Sequence, residues 1–465
     1  MQRQLVLADL KEVTLQVETV TDCHPVPRST LTERQKWAAV AALSFAMAVS
    51  VLDRSIVNLL LDPIKHSFGL NDTQLGVMSG SLFAIFYSTF NILFGALADR
   101  LNRRSIVLSG IISWSLLTAL SGLSRSFTQL ALGRGGLAIG EATLSPSAYS
   151  LISEQSSTKL GKPISVFFAG AMIGPALAML YGAATFRLFA RLPMLSLPLY
   201  GRLEVWQAVL ISASVPGFLA ALAIRLWVTE PRKQFPQSNC AHEPFLAKTV
   251  EGFRLLWRNR RAYAPLIVSV TLVSIHTNGM LAWAPTYFSR SFGWAPGEVG
   301  VALGIILLVA GAGGSFFGGV CADGWGARAS LGRMLRIMLT MFSFAWSFAM
   351  TTMFNWGPWV GLAVISGYIF CAMSAMAVAS TTLMSMTAAA FRGQVAGLYL
   401  LIIGLGAVAT GPVLVGLLND RLFGGNVGKS LALLAVCTIP VAIFVLSLGR
   451  SSRVHPCKEG TPLLD

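Results

Sequence analysis

Twelve long apolar stretches recur along the chain, each with roughly the 20 residues that a helix needs to cross a bilayer. They lie near residues 37–61, 73–97, 105–124, 127–150, 162–186, 205–228, 263–288, 297–320, 331–354, 358–384, 391–418 and 427–449. Hydrocarbon offers no partner to a free backbone group, so such stretches must fold as helices. Only 12% of the 465 residues are charged and 54% are hydrophobic, whereas a soluble domain carries about a quarter charged residues. A soluble fold could not cover itself with this composition. The expectation is an all-α membrane protein with 12 transmembrane helices. A soluble enzyme, a disordered chain and a secreted disulfide scaffold are excluded, and the six cysteines form no C-x-x-C pair.

The net charge of +15 has a topological reading. With the N-terminus inside, the cytoplasmic segments hold 24 Lys and Arg and the opposite loops hold 8, which places both termini in the cytoplasm. No basic run alternates with aromatics, so no nucleic-acid partner is implied. Residues 1–36 are a polar cytoplasmic segment without the pattern of a cleaved leader. A bundle of six helices follows at 37–228, then a cytoplasmic linker at 229–262, a second six-helix bundle at 263–449 and a cytoplasmic tail at 450–465. Within the linker, Phe245, Val250, Phe253 and Leu256 fall near one helical face and Arg258, Arg260 and Arg261 follow. That pattern predicts an amphipathic helix on the inner membrane surface. A sequon at Asn71 and a dileucine at Leu463 and Leu464 are weak signals.

The two halves repeat one another. Gly95 and Asp99 follow the second span as Gly319 and Asp323 follow the eighth, and Gly174-Pro175 in the fifth span is matched by Gly411-Pro412 in the eleventh. Internal repeats of this kind are a transporter signature. The loop containing Gly95, Asp99, Arg100, Arg103 and Arg104 resembles the signature loop of the major facilitator superfamily. Within it, the chain is most similar to the spinster family of lysolipid and sphingolipid transporters. Leu52-Asp53-Arg54, the loop with Asn102 where most of the superfamily has Gly, and the run from Gly133-Arg134 to Gly140-Glu141 carry that likeness. The resemblance implies two pseudo-symmetric bundles around a central cavity that opens to alternate sides. It also implies that Asp99 faces the start of the eleventh span, near Phe391. Arg103 or Arg104 can pair with Glu154, so this loop reads as a gate.

Four ionisable residues lie deep in the predicted spans: Asp53, Arg54, Arg134 and Glu141. Each is costly there, by about 2.5–3.5 kcal/mol on insertion scales, and is a functional candidate for that reason. Arg134 and Glu141 are seven residues apart and share a helix face, about 10 Å from one another. Asp53 and Arg54 are adjacent and point apart. The spacing predicts a crossed network, Asp53 with Arg134 and Arg54 with Glu141. A carboxyl that meets and leaves an arginine during a transport cycle can load and release a proton, and Glu141 is the first candidate, with Asp53 second. A static ion pair that positions the helices is the competing reading. Arg54 and Arg134 can alternatively hold an anionic headgroup.

The second half has no acid deep in any span. His276 in the seventh span can contact a headgroup or bond to a neighbouring helix. Phe83, Phe86, Trp283 and Met373 can contact an acyl chain. This asymmetry, polar in one half and apolar in the other, suggests an amphipathic lipid moved with protons. A proton-linked carrier of small organic anions and a non-transporting sensor are the alternatives. No enzyme motif, metal cluster or phosphate-binding lysine loop occurs, so neither catalysis nor a cofactor is implied. A monomer in a bacterial plasma (inner) membrane is expected, with the lysosomal membrane as the alternative.

Overall fold

The computed structural model describes residues 32–98, 101–155, 161–192, 196–197, 201–230, 245–323, 331–387 and 391–449. Eleven helices among them are long and apolar enough to cross a membrane. In chain order the helices are α1 (Glu33–Phe68), α2 (Asp72–Gly95), α3 (Arg103–Gly122), α4 (Phe127–Glu141), α5 (Leu144–Gln155), α6 (Gly161–Ala190) and α7 (Val205–Trp227). The linker helix α8 (Phe245–Arg258) precedes α9 (Arg260–Phe292), α10 (Pro296–Ala322), α11 (Leu331–Thr351), α12 (Pro358–Met386), α13 (Arg392–Arg421) and α14 (Val427–Leu448). A two-residue hairpin, β1 (Ser196–Leu197) and β2 (Gly201–Arg202), sits between α6 and α7.

Local chemistry explains several helix ends. Thr32 and Asn71 form capping boxes with Gln35 and Gln74, and Asn102, Ser126 and Asn426 each accept a hydrogen bond from the third amide of their helix. The fourth predicted span is two helices, α4 and α5, because Pro146 cannot donate to the carbonyl of Ala142 and its ring crowds that turn. Asn91 of α2 donates to the freed carbonyl at 3.4 Å. The break falls directly after Glu141. A second irregularity lies in α1, where the α-helix ends at Ser55 and five residues, Ile56–Leu60, form a 3₁₀ turn that begins two residues after Arg54.

The same helix pairings recur in both halves: α1 with α6 and α9 with α13, α3 with α7 and α11 with α14, and α2 with α4 and α10 with α12. The halves meet through α6 with α10 and α2 with α13. One face of the molecule carries the start of α1 and the end of α14 (the termini face); the far face is where α1 ends and α2 begins. The close contacts between halves lie towards the far face. A Cβ on Gly76 of α2 would stand 2.5 Å from the carbonyl oxygen of Pro412, and one on Gly416 of α13 would stand 2.3 Å from that of Asp72. Only glycine permits that approach.

Candidate functional site

A cavity of about 290 Å³ lies between the halves. Its lining has one charged side chain, Arg54, and four uncharged polar ones: Ser55, Asn58, Ser79 and Asn278. All but Asn278 come from the N-terminal half. The remainder is apolar or glycine, with Phe83 beside Met172 and Met179 of α6 and Met373 of α12. The Arg54 guanidinium carbon lies 5.6 Å from the centre of the Phe83 ring, a geometry that favours a cation over an aromatic face.

Behind Arg54 the two irregular helices meet. Arg134 of α4 is buried, and it donates from Nη1 to the carbonyl oxygen of Asp53 at 3.0 Å and from Nη2 to that of Arg54 at 2.8 Å. The switch from α to 3₁₀ backbone in α1 leaves those carbonyls free to accept. This differs from the crossed pairing the spacing suggests: no ion pair within 4.0 Å joins Asp53 to Arg134 or Arg54 to Glu141. The guanidinium is held by main-chain oxygens instead. Glu141 Oε2 accepts from Ser50 Oγ at 2.7 Å, and Thr118 Oγ1 donates to Asp53 Oδ2 at 3.4 Å. Asp53 Oδ1, Glu141 Oε1 and Arg134 Nε are buried with no hydrogen-bond partner. Unpartnered polar atoms are few in native interiors and call for an explanation. Here three of them fall in one cluster.

The other singled-out residues divide. Arg54, Phe83 and Met373 line the cavity; His276, Trp283 and Phe86 do not. His276 is fully buried, with Nδ1 at 2.7 Å from the Tyr368 hydroxyl and Nε2 at 3.2 Å from the Leu431 carbonyl oxygen. Thr277 lies 2.8 Å from the same hydroxyl, so the cluster ties α9, α12 and α14 together. Trp283 donates from Nε1 to the Pro412 carbonyl at 2.9 Å, fixing α9 to α13. Phe86 packs on Gly135 of α4.

On the termini face, Arg103 is buried and donates from Nη2 to both carboxylate oxygens of Glu154 at 2.6 Å and from Nη1 to Ser150 Oγ at 2.6 Å. Glu230, after α7, is a second acid here, 3.6 Å from Arg103 Nε and accepting from the Arg104 amide at 3.2 Å. Its signal in the sequence is an acid beside Pro231 at a span end, outside the motif. The Arg104 guanidinium donates to the Arg225 carbonyl. Gly95 packs near Pro146. Asp99 and Arg100 lie outside the described residues, as do Arg328 and the side chain of Asp323.

The far face has a charged cluster that crosses between halves. Arg290, at the end of α9, binds Asp62 Oδ1 at 2.7 Å and Asp72 Oδ2 at 2.6 Å, and Lys65 binds Asp72 Oδ1 at 2.5 Å. Asp420, at the end of α13, accepts from the amides of Asp72 and Thr73. No sequence motif marks these charges, because they stand at span ends far apart in the chain.

The sequence model of the Major Facilitator Superfamily matches residues 43–411. The chain belongs to the Major Facilitator Superfamily. Among curated relatives, this superfamily member is 27% identical to a probable L-galactonate transporter of Escherichia coli (strain K12) over 62% of this chain and 62% of the relative. It is 26% identical to protein spinster homolog 1 of Rattus norvegicus over 58% of this chain and 49% of that one. The matches thus span about half to three fifths of the relatives' length. Among solved structures, a bacterial homolog to the human lysosomal transporter spinster, in an inward-facing and occupied conformation, matches with a TM-score of 0.74. That match has 21% identity and covers 90% of this chain and 97% of the other, which establishes the shared fold. The superfamily fold accounts for both the repeated helix pairings and the cavity between halves, and the chain is a multi-pass membrane protein.

Proposed function

We propose that this protein is a secondary active transporter that works by alternating access, coupling protons to movement of a lysophospholipid- or sphingoid-like lipid. The observation that carries the reading is the cavity: a single cation, Arg54, stands at the polar N-terminal side of a methionine-rich chamber whose opposite wall is apolar but for Asn278. An anionic or zwitterionic headgroup fits the guanidinium, and an acyl chain fits the wall that Phe83 and Met373 help to form, since thioether side chains adapt to varied apolar shapes. A relative of Xenopus tropicalis, 27% identical over 56% of this chain, is named as a sphingosine-1-phosphate transporter, which supports the same class.

Glu141 is the proton carrier in this account and Asp53 the second acid. Each has one buried oxygen without a partner, so a proton can be taken up there without breaking a hydrogen bond. Each also neighbours a backbone break, after Glu141 in the α4–α5 helix pair and after Arg54 in α1. Mid-helix departures from α geometry often mark hinges. Movement of α1 against α4 changes the distance between Glu141 and Arg54 and so couples protonation to substrate. Arg103 and Glu154, with Gly95, Asp99, Arg100 and Arg104 of the same loop, form the termini-face gate. With both termini in the cytoplasm, as loop charge argues, the far face, where the halves are in close contact, is outside. The setting is a bacterial plasma (inner) membrane, and the working unit a monomer.

One observation favours a second reading. The L-galactonate relative suggests a small organic anion on Arg54, and a chamber of about 290 Å³ holds one. Thermal melts of the purified protein separate the two. A rise in melting temperature with lysophosphatidyl lipids but not with hexonates supports the lipid; the reverse pattern supports the anion.

A further inference from the structure

The amino end of α2 is satisfied by two different parts of the molecule. Its third amide, of Gln74, is capped by Asn71 from the preceding loop at 2.8 Å. Its first two amides, of Asp72 and Thr73, donate to Asp420 Oδ1 at 3.0 Å and Oδ2 at 2.7 Å, and Thr73 Oγ1 donates to Oδ2 at 2.6 Å. Asp420 belongs to α13, in the opposite half. The first amides of a helix have no partner of their own, and a helix amino end favours an anion. Two of these amides, then, are satisfied by protein only while the far face is shut. Gly416, one turn earlier on α13, meets the Asp72 carbonyl so closely that a Cβ would stand 2.3 Å away, so the approach of the two helices is itself tight. Asp420 is exposed. On separation both the carboxylate and the amides pass to water, so the contact can open and close repeatedly.

We propose that Asp420 is a positioning residue for the transport cycle, latching the far face shut by capping the amino end of α2 across the two halves. The proposal rests on the alternating-access reading above. The latch differs from the Arg290 cluster beside it, which crosses between the halves through side chains alone: Asp420 holds the backbone of α2 and so sets where that helix sits.

The test is a distance measurement by pulsed electron resonance. Spin labels go at positions 192 and 356, both exposed at the far face in opposite halves, on a background with the native cysteines replaced. Asp420→Ala should raise the ratio of long to short distances by about two- to thirty-fold, the range over which removal of a helix cap acts. Thr73→Val, which removes one of three donors, should move it the same way but less, Asp420→Glu should restore most of the short population, and Arg421→Gln should leave it alone. A distribution unchanged by both Asp420→Ala and Thr73→Val overturns the latch, whatever the wild type transports. A shifted distribution in a protein that moves no lysolipid upholds the latch and removes the lipid substrate instead.

Discussion

Two buried polar clusters, one in each half, are built on opposite terms. Around His276 both ring nitrogens have partners, and the Tyr368 hydroxyl is shared with Thr277. Around Arg134 three polar atoms of Asp53, Glu141 and Arg134 have none. A fully bonded buried cluster fixes helices in one arrangement, whereas an incompletely bonded one costs free energy and is kept where the groups change partners. In the transport cycle proposed above, the C-terminal cluster is structural and the N-terminal one carries the working chemistry, although a sequence reading puts both among the candidates for function.

Removal of Arg134 should have the largest effect. Arg134→Ala leaves the carbonyls of Asp53 and Arg54 unsatisfied and two acids without their nearest buried cation, and should lower stability by about 3–5 kcal/mol, as read from denaturant unfolding in detergent. A loss under about 1 kcal/mol would mean that Arg134 does not hold the broken α1. Arg54→Gln should keep the fold but weaken lysolipid binding by about ten- to a hundredfold, the worth of a charged hydrogen bond, measured by titrated thermal shift. His276→Phe sharpens the comparison from the other side: stability should fall by about 1–3 kcal/mol while flux per folded molecule holds. Lost flux with unchanged stability would move His276 into the machinery and break the contrast. Met373→Ala should be the smallest, on the order of fivefold in affinity for a long acyl chain and less for a short one.

Much of this was legible from residue order, and the rest had physical reasons to be hidden. Span positions followed from apolar run length, and the Arg103–Glu154 contact was accessible because both residues sit at span ends on the same side. Arg134 was found as a buried charge, but its partners were not. They are carbonyls freed by a 3₁₀ turn in Ile56–Leu60, a segment without proline or glycine to announce it. The break after Glu141 did have a signal, Pro146 within an apolar run, which the count of 12 continuous spans passed over. Asp420, Asp72 and Arg290 come together only because the halves close on the far face, and nothing local in the chain encodes that meeting. His276 shows the converse limit: a polar residue in a span looks the same whether it faces a cavity or a neighbouring helix.

The account stands most directly on proton coupling through Glu141. Purified protein in liposomes, given an inward or outward pH gradient and fluorescent lysophospholipid, tests it with wild type beside Glu141→Gln. Gradient-dependent flux in the wild type that vanishes in the variant, with the melting temperature of both alike, is the predicted result. Gradient-dependent flux that persists undiminished in Glu141→Gln would contradict it.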